Sequence, residues 1–101
     1  MLNFVSPSPD QLYAAAFQAH MAGRAAEAER GYRQVLAAAP QHADAWHMLG
    51  ALAHQAGQYR AALEMMEKAV ALAPRRADFH SNLGETCRQL GDEAGAAEGP
   101  A

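Results

Sequence analysis

The sequence predicts an all-α protein built from a repeated helix-turn-helix unit, and three observations predict it. Residue types recur at a fixed step of 34: Gly23, Gly57 and Gly91; Pro40 and Pro74; Asp10, Asp44 and Asp78; Ala28, Ala62 and Ala96. Composition favours helix over strand, because half of the 101 residues are hydrophobic, much of that share is alanine, and β-branched residues are few. Within each period, apolar residues fall at helical spacing on both sides of a glycine. A period of this length marks a solenoid, in which each helix pair hides its apolar face only by stacking on its neighbours. The chain holds about two and a half such units.

Taken in order, residues 1–8 form an N-terminal extension whose start, MLNFV, is mostly apolar. It reads either as a disordered tail or as an extended peptide that docks on a groove or on the first helix, with Pro7 and Pro9 holding it extended. Ser8-Pro9-Asp10-Gln11 is the signature of a helix start: Ser8 as N-cap, Pro9 at the first helical position, Gln11 closing a capping box. Residues 9–42 make the first unit and 43–76 the second. In the second, Trp46, Leu49 and Ala53 mark the core face of one helix, and Ala62, Met66, Ala69 and Val70 that of the next. Gly57 ends the first of these helices and Pro74 the second. Gly50 and Gly84 are expected where two helices cross closely, and Ala62 and Ala96 serve the same packing. Met48, Met65 and Met66 read as core and groove fillers.

Residues 77–91 start a third unit with one well-formed, rather polar helix, suited to cap a solenoid. Cys87 falls at a small-residue packing position, where a buried thiol is expected. Residues 92–101 read as a frayed tail, since Gly95, Gly99 and Pro100 are poor helix formers. Leu83, Cys87 and Leu90 are then only partly covered, and a twin subunit or further repeats would complete the end. The same feature supports a second reading of the chain as a self-associating unit, joined through this open end or through the N-terminal tail.

Composition also bounds function. Eight basic against eleven acidic residues give a net charge of −3, which leaves no electrostatic footprint for nucleic acid. One cysteine excludes an intramolecular disulfide. No charged n-region with a long apolar run opens the chain, and no stretch approaches the roughly 20 apolar residues that span a bilayer; the expectation is a soluble, cytoplasmic protein that does not enter membranes. No phosphate-binding glycine loop or nucleophile elbow occurs, so the expectation is a non-enzyme without cofactors.

The spacing of Trp46, Leu49, Gly50, Gly57, Tyr59, Ala62, Ala69 and Pro74 resembles the tetratricopeptide repeat. The first unit keeps Leu12, Gly23, Ala28, Tyr32 and Pro40, and the third Leu83, Gly84, Gly91 and Ala96. The stretch HSNLGETCRQLG is similar to repeats that precede O-linked N-acetylglucosamine transferases, bacterial ones included. The resemblance implies a right-handed superhelical stack whose first helices line a concave, peptide-binding face. It places Tyr13, Phe17 and His20 there from the first unit, His47, Met48, Ala51 and His54 from the second, and Asn82, Glu85 and Arg88 from the third. Tyr13, Phe17 and Met48 would offer apolar contact, and Ala51, one period from Phe17, would leave room beside that ring. In the transferase-like repeats an asparagine matching Asn82 grips peptide backbone. The Lys, Asn and Arg clamp that some repeats use for chaperone tails is absent, because its positions hold Tyr13, Phe17, Met48, Asp78 and Asn82. The implied partner is a protein or peptide, with a homo-oligomer as the alternative.

His20 and His54 stand one period apart and are expected side by side, with Arg88 in the third place and His47 on the same exposed face. Residues seven apart are separated by roughly 10 Å along a helix, too far to share a metal whose ligand nitrogens sit about 2 Å from it. No metal site is expected. The aspartates one period apart read as helix-dipole partners in the first turn of each first helix.

Overall fold

The computed structural model describes residues 6–98, with side-chain surroundings for 6–92. Five helices follow in order: α1 Pro9–Met21, α2 Ala25–Ala38, α3 Ala43–Gln55, α4 Tyr59–Leu72 and α5 Ala77–Glu98. No strand occurs among the described residues. Helices α1 and α2 pack as one hairpin and α3 and α4 as the next; α2 packs on α3, and α5 on α4 and α3. This is the expected all-α stack of helix hairpins.

Local signals account for the boundaries. Ser8 accepts from the backbone N–H of Gln11 at 3.1 Å, and the Gln11 side chain accepts from Ser8 N–H at 2.8 Å, completing the capping box. His42 caps α3 by accepting from Ala45 N–H through Nδ1. Gly23 and Gly57 end α1 and α3 with φ of 81° and 78°. An L side chain costs about 1–2 kcal/mol in that left-handed region, so glycine is the residue that lets the chain reverse there.

The core is made of small side chains with a few large ones set between them. Ala16, Ala19, Ala28, Tyr32, Leu49 and Leu52 form one cluster, bordered by Tyr13, Leu36, Met48 and Met65. Ala53, Ala62 and Met66 form a second, bordered by Leu83. The α3–α4 crossing is tight at Gly50, where an added Cβ would lie 2.7 Å from Met66 Cγ and 3.2 Å from the Ala62 carbonyl. A comparable crossing joins α1 and α2 at Gly31, which the periodicity does not single out, with Ala16 Cβ only 2.6 Å from the added atom.

Three expectations are corrected. The first helix of the third unit does not stop at residue 91: α5 runs unbroken through Glu98, so 92–98 continues it as helical backbone. The turn in the first two units is held by an amphipathic second helix with buried apolar side chains at Ala28, Tyr32 and Val35, or at Ala62, Met66 and Ala69. Residues 92–98 carry no large apolar side chain that could reward folding back, and continuing the i to i−4 hydrogen bonds pairs their backbone N–H groups within the helix. With no sixth helix among the described residues, Gly84 has open space beside it and Cys87 is exposed rather than buried, although its counterpart Ala53 is buried under α4. Trp46 is half-buried at the edge of the core, with its indole N–H donating to the Pro40 carbonyl at 2.8 Å and Lys68 over its ring. The MLNFV segment and Pro100 lie outside the described residues.

Candidate functional site

Helices α1, α3 and α5 stand in a row, and imidazoles join them. His20, at the end of α1, is buried between Tyr32 and Gln55. Gln55 Oε1 can only accept, so His20 Nε2 carries the proton and donates; Nδ1 then accepts from the Tyr32 hydroxyl at 3.2 Å. His47, in the middle of α3, is also buried. Its ring stacks on Phe79 of α5, with centroids 4.4 Å apart, and its Nε2 accepts from Asn82 Nδ2 at 2.7 Å. Burial holds the His47 pKa below the ordinary imidazole range; Asp78 and Asp44 pull it upward and Arg76 pushes it down, without reversing the desolvation. His54 is half-buried, edge-on to Tyr59, with Nδ1 2.9 Å from Thr86 Oγ1.

These contacts correct the expected ladder. His20 meets Gln55, not His54, and His54 meets Thr86, not Arg88. His47 is not on an exposed face; it is wedged between α3 and α5. Residues one period apart point the same way on helices related by stacking. Neighbouring helices therefore touch through opposite flanks, and contacts fall at steps of 32 and 35 instead of 34.

The aspartates follow the 32-residue step too. Asp10 lies 3.4 Å from His42 Nε2, and Asp44 lies 3.0 Å from Arg76 Nη2, which also holds Asp78 at 2.9 Å. The Arg76 guanidinium keeps the Asp78 carboxyl below the usual carboxylate range. His42 and Arg76 stand one period apart, just before α3 and α5, so the period itself could have revealed them. The same holds for Trp46 and His80, which bond to the carbonyls of Pro40 and Pro74.

The remaining candidates fall into two groups. Tyr13 is half-buried against Tyr32 and His42, with Phe17 at 6.3 Å; Phe17 itself is 39% exposed, and Met48 borders the core. Burial raises the Tyr13 pKa, with Asp44 adding to the shift and Arg76 opposing it. In the second group, Ala51, His54, Asn82 and Glu85 line one cleft of about 190 Å³ with Gln55 and Met66. Ala51 thus opens towards α5. Arg88 lies over Glu85 through two hydrogen bonds; this pairing, helped by Gln89, keeps the Glu85 carboxyl below its usual range. The histidines serve separate junctions, and no three His, Cys, Asp or Glu side chains gather as a metal site among the described residues.

A tetratricopeptide repeat family model matches residues 21–59 and again 48–99. The chain belongs to the tetratricopeptide repeat family. Two solved structures of MamA share the fold of this tetratricopeptide repeat chain, each with a TM-score of 0.79. One is 21% identical over 83% of this chain and the other 24% identical over 86%. Each match takes 49% of the MamA chain, so this chain spans about half the length of those proteins. No curated protein matches the sequence. The finer likeness to glycosyltransferase-associated repeats gains no support, and Asn82, which carried it, is engaged by His47. No described helix is long and apolar enough to cross a membrane.

Proposed function

We propose that this tetratricopeptide repeat chain is a non-catalytic scaffold that binds a protein segment across the face formed by α1, α3 and α5. The observation that carries the reading is the cleft at Ala51, His54, Asn82 and Glu85, open on the same row of helices that presents the exposed Phe17 ring. Tyr13, Phe17 and Met48 supply apolar contact and His54, Asn82, Glu85 and Arg88 polar contact. His20 and His47 act indirectly, by holding adjacent helices in register. Proteins captured on the immobilised chain should be lost with Phe17→Ala/Met48→Ala while the far-ultraviolet circular dichroism stays unchanged. Equal capture by the folded double variant would place the binding face elsewhere.

Self-association is the second reading. The outer face of α5 favours it, with Cys87 exposed and Leu83 and Leu90 only half-covered.

A further inference from the structure

The cleft between α3 and α5 is chemically one-sided. Thr86 Oγ1 lies 3.2 Å from Met66 Sδ and 2.9 Å from His54 Nδ1; in the tautomer with the imidazole proton on Nδ1, His54 donates to Thr86 and the hydroxyl proton goes to the sulfur. That tautomer leaves His54 Nε2 as a bare acceptor. Asn82 spends an amide proton on His47, which leaves its Oδ1 free. Glu85 is an acceptor only, and a carboxylate retains lone pairs beyond those engaged by Arg88 and Gln89. Against these three acceptors stands one donor, the Gln55 amide, whose oxygen is taken by His20. Met66 and Ala51 supply the apolar wall.

The surrounding charge has the same sense. Through Asp92, helices α1, α3 and α5 carry Asp10, Asp44, Asp78, Glu85 and Asp92 against Arg88 alone, whereas α2 and α4 each hold equal numbers of acids and bases. Arg76, between α4 and α5, is already held by two of those aspartates. At about 190 Å³ the cleft is smaller than a small-molecule site, which typically starts near 300 Å³, and offers room for one side chain.

We propose that this cleft, as a subsite of the interaction face above, takes a lysine side chain of the partner: the methylenes lie along Met66 and Ala51, and the ammonium donates to His54 Nε2, Asn82 Oδ1 and Glu85. An ammonium brings three donors and no acceptor, which matches what the cleft leaves unpaired. The inference rests on that interaction-face reading, and the test separates the two.

Three acetylated, amidated pentapeptides with alanine at the outer positions and lysine, norleucine or glutamate at the centre are titrated into the ¹⁵N-labelled chain. The lysine peptide should shift the backbone amides of Ala51 and His54 and the side-chain amides of Gln55 and Asn82. The norleucine peptide should bind about tenfold more weakly, as expected for loss of charge-assisted hydrogen bonds. Glu85→Gln, which keeps the shape and an oxygen for Arg88, should weaken the lysine peptide severalfold and leave the norleucine peptide unchanged. Equal binding of lysine and norleucine, tighter binding of glutamate, or no response at the cleft overturns the proposal. Shifts confined to Tyr13, Phe17 and Met48 would overturn the subsite and leave the interaction face standing.

Discussion

At Gly31 and Gly84 the same residue type has opposite consequences. A Cβ added at Gly31 would lie 2.6 Å from Ala16 Cβ and 3.2 Å from Ala16 Cα, so the α1–α2 backbones would have to separate. At Gly84 nothing lies within 4 Å. Glycine inside a helix costs about 0.5–1 kcal/mol relative to alanine. Gly84→Ala should therefore stabilise by about that amount, whereas Gly31→Ala should destabilise through overpacking, on the order of 1–3 kcal/mol. Urea titrations of the two variants check both signs. Gly84 was legible as part of the period but not as exposed, because its openness depends on whether a second helix packs against α5, and none does among the described residues.

His47 makes a prediction of its own. Burial lowers its pKa in the folded chain, against opposing pull from Asp44 and Asp78. Between the lowered folded pKa and the unfolded value near 6.5, the unfolded chain binds more protons. Stability should then fall as pH drops below about 6.5, the window set by that unfolded value. Protonation would also turn Nε2 from the acceptor of the Asn82 amide into a second donor. The fall between pH 7 and 5, followed by urea denaturation, should be smaller in His47→Gln. An equal fall would assign it to other histidines. At lower pH a separate loss is expected as Asp78 and Glu85, whose pKa values are lowered by Arg76 and Arg88, become protonated.

At the scale of the element, the start of α5 is tied to α3 by one side chain. Arg76 bridges Asp44 and Asp78, and its guanidinium lies 4.2 Å from the Phe79 ring centre. These groups are exposed enough for salt to screen them, so the pairs contribute little. Arg76→Ala should therefore lower stability only slightly in low salt, with the difference from wild type shrinking in high salt. A cost that ignores salt would point to packing on Phe79 instead. The helix starts were readable because capping chemistry is local: Ser8 and Gln11 meet within one turn. The extent of α5 was not, because Gly91 is a turn only when a second helix can pack back. Gly23 and Gly57 have such helices after them, which bury Ala28, Tyr32 and Val35 or Ala62, Met66 and Ala69.

For the whole molecule, the outer face of α5 is the surface on which self-association would act. Its Leu83 borders the second core cluster while Cys87 faces outward. If copies of the chain meet through this face, light scattering should show the apparent mass rising over micromolar concentrations, and Leu83→Glu/Cys87→Glu should return it to that of one chain. A constant mass of one chain removes the self-association reading and leaves the interaction face.

The sequence by itself determined the period, the turns and the helix pairs. Those depend on short-range chemistry: a left-handed glycine, a proline after the last turn, apolar residues three and four apart. The family resemblance, with the period, marked the residues of the row α1, α3 and α5. Only the tertiary structure decided which of those residues touch. Stacking repeats a helix by translation, so residues in register look outward in parallel while opposite flanks meet. That is why His20 found Gln55, why His47 went under Phe79 and Asn82, and why Ala51, His54, Asn82 and Glu85 came to share a cleft.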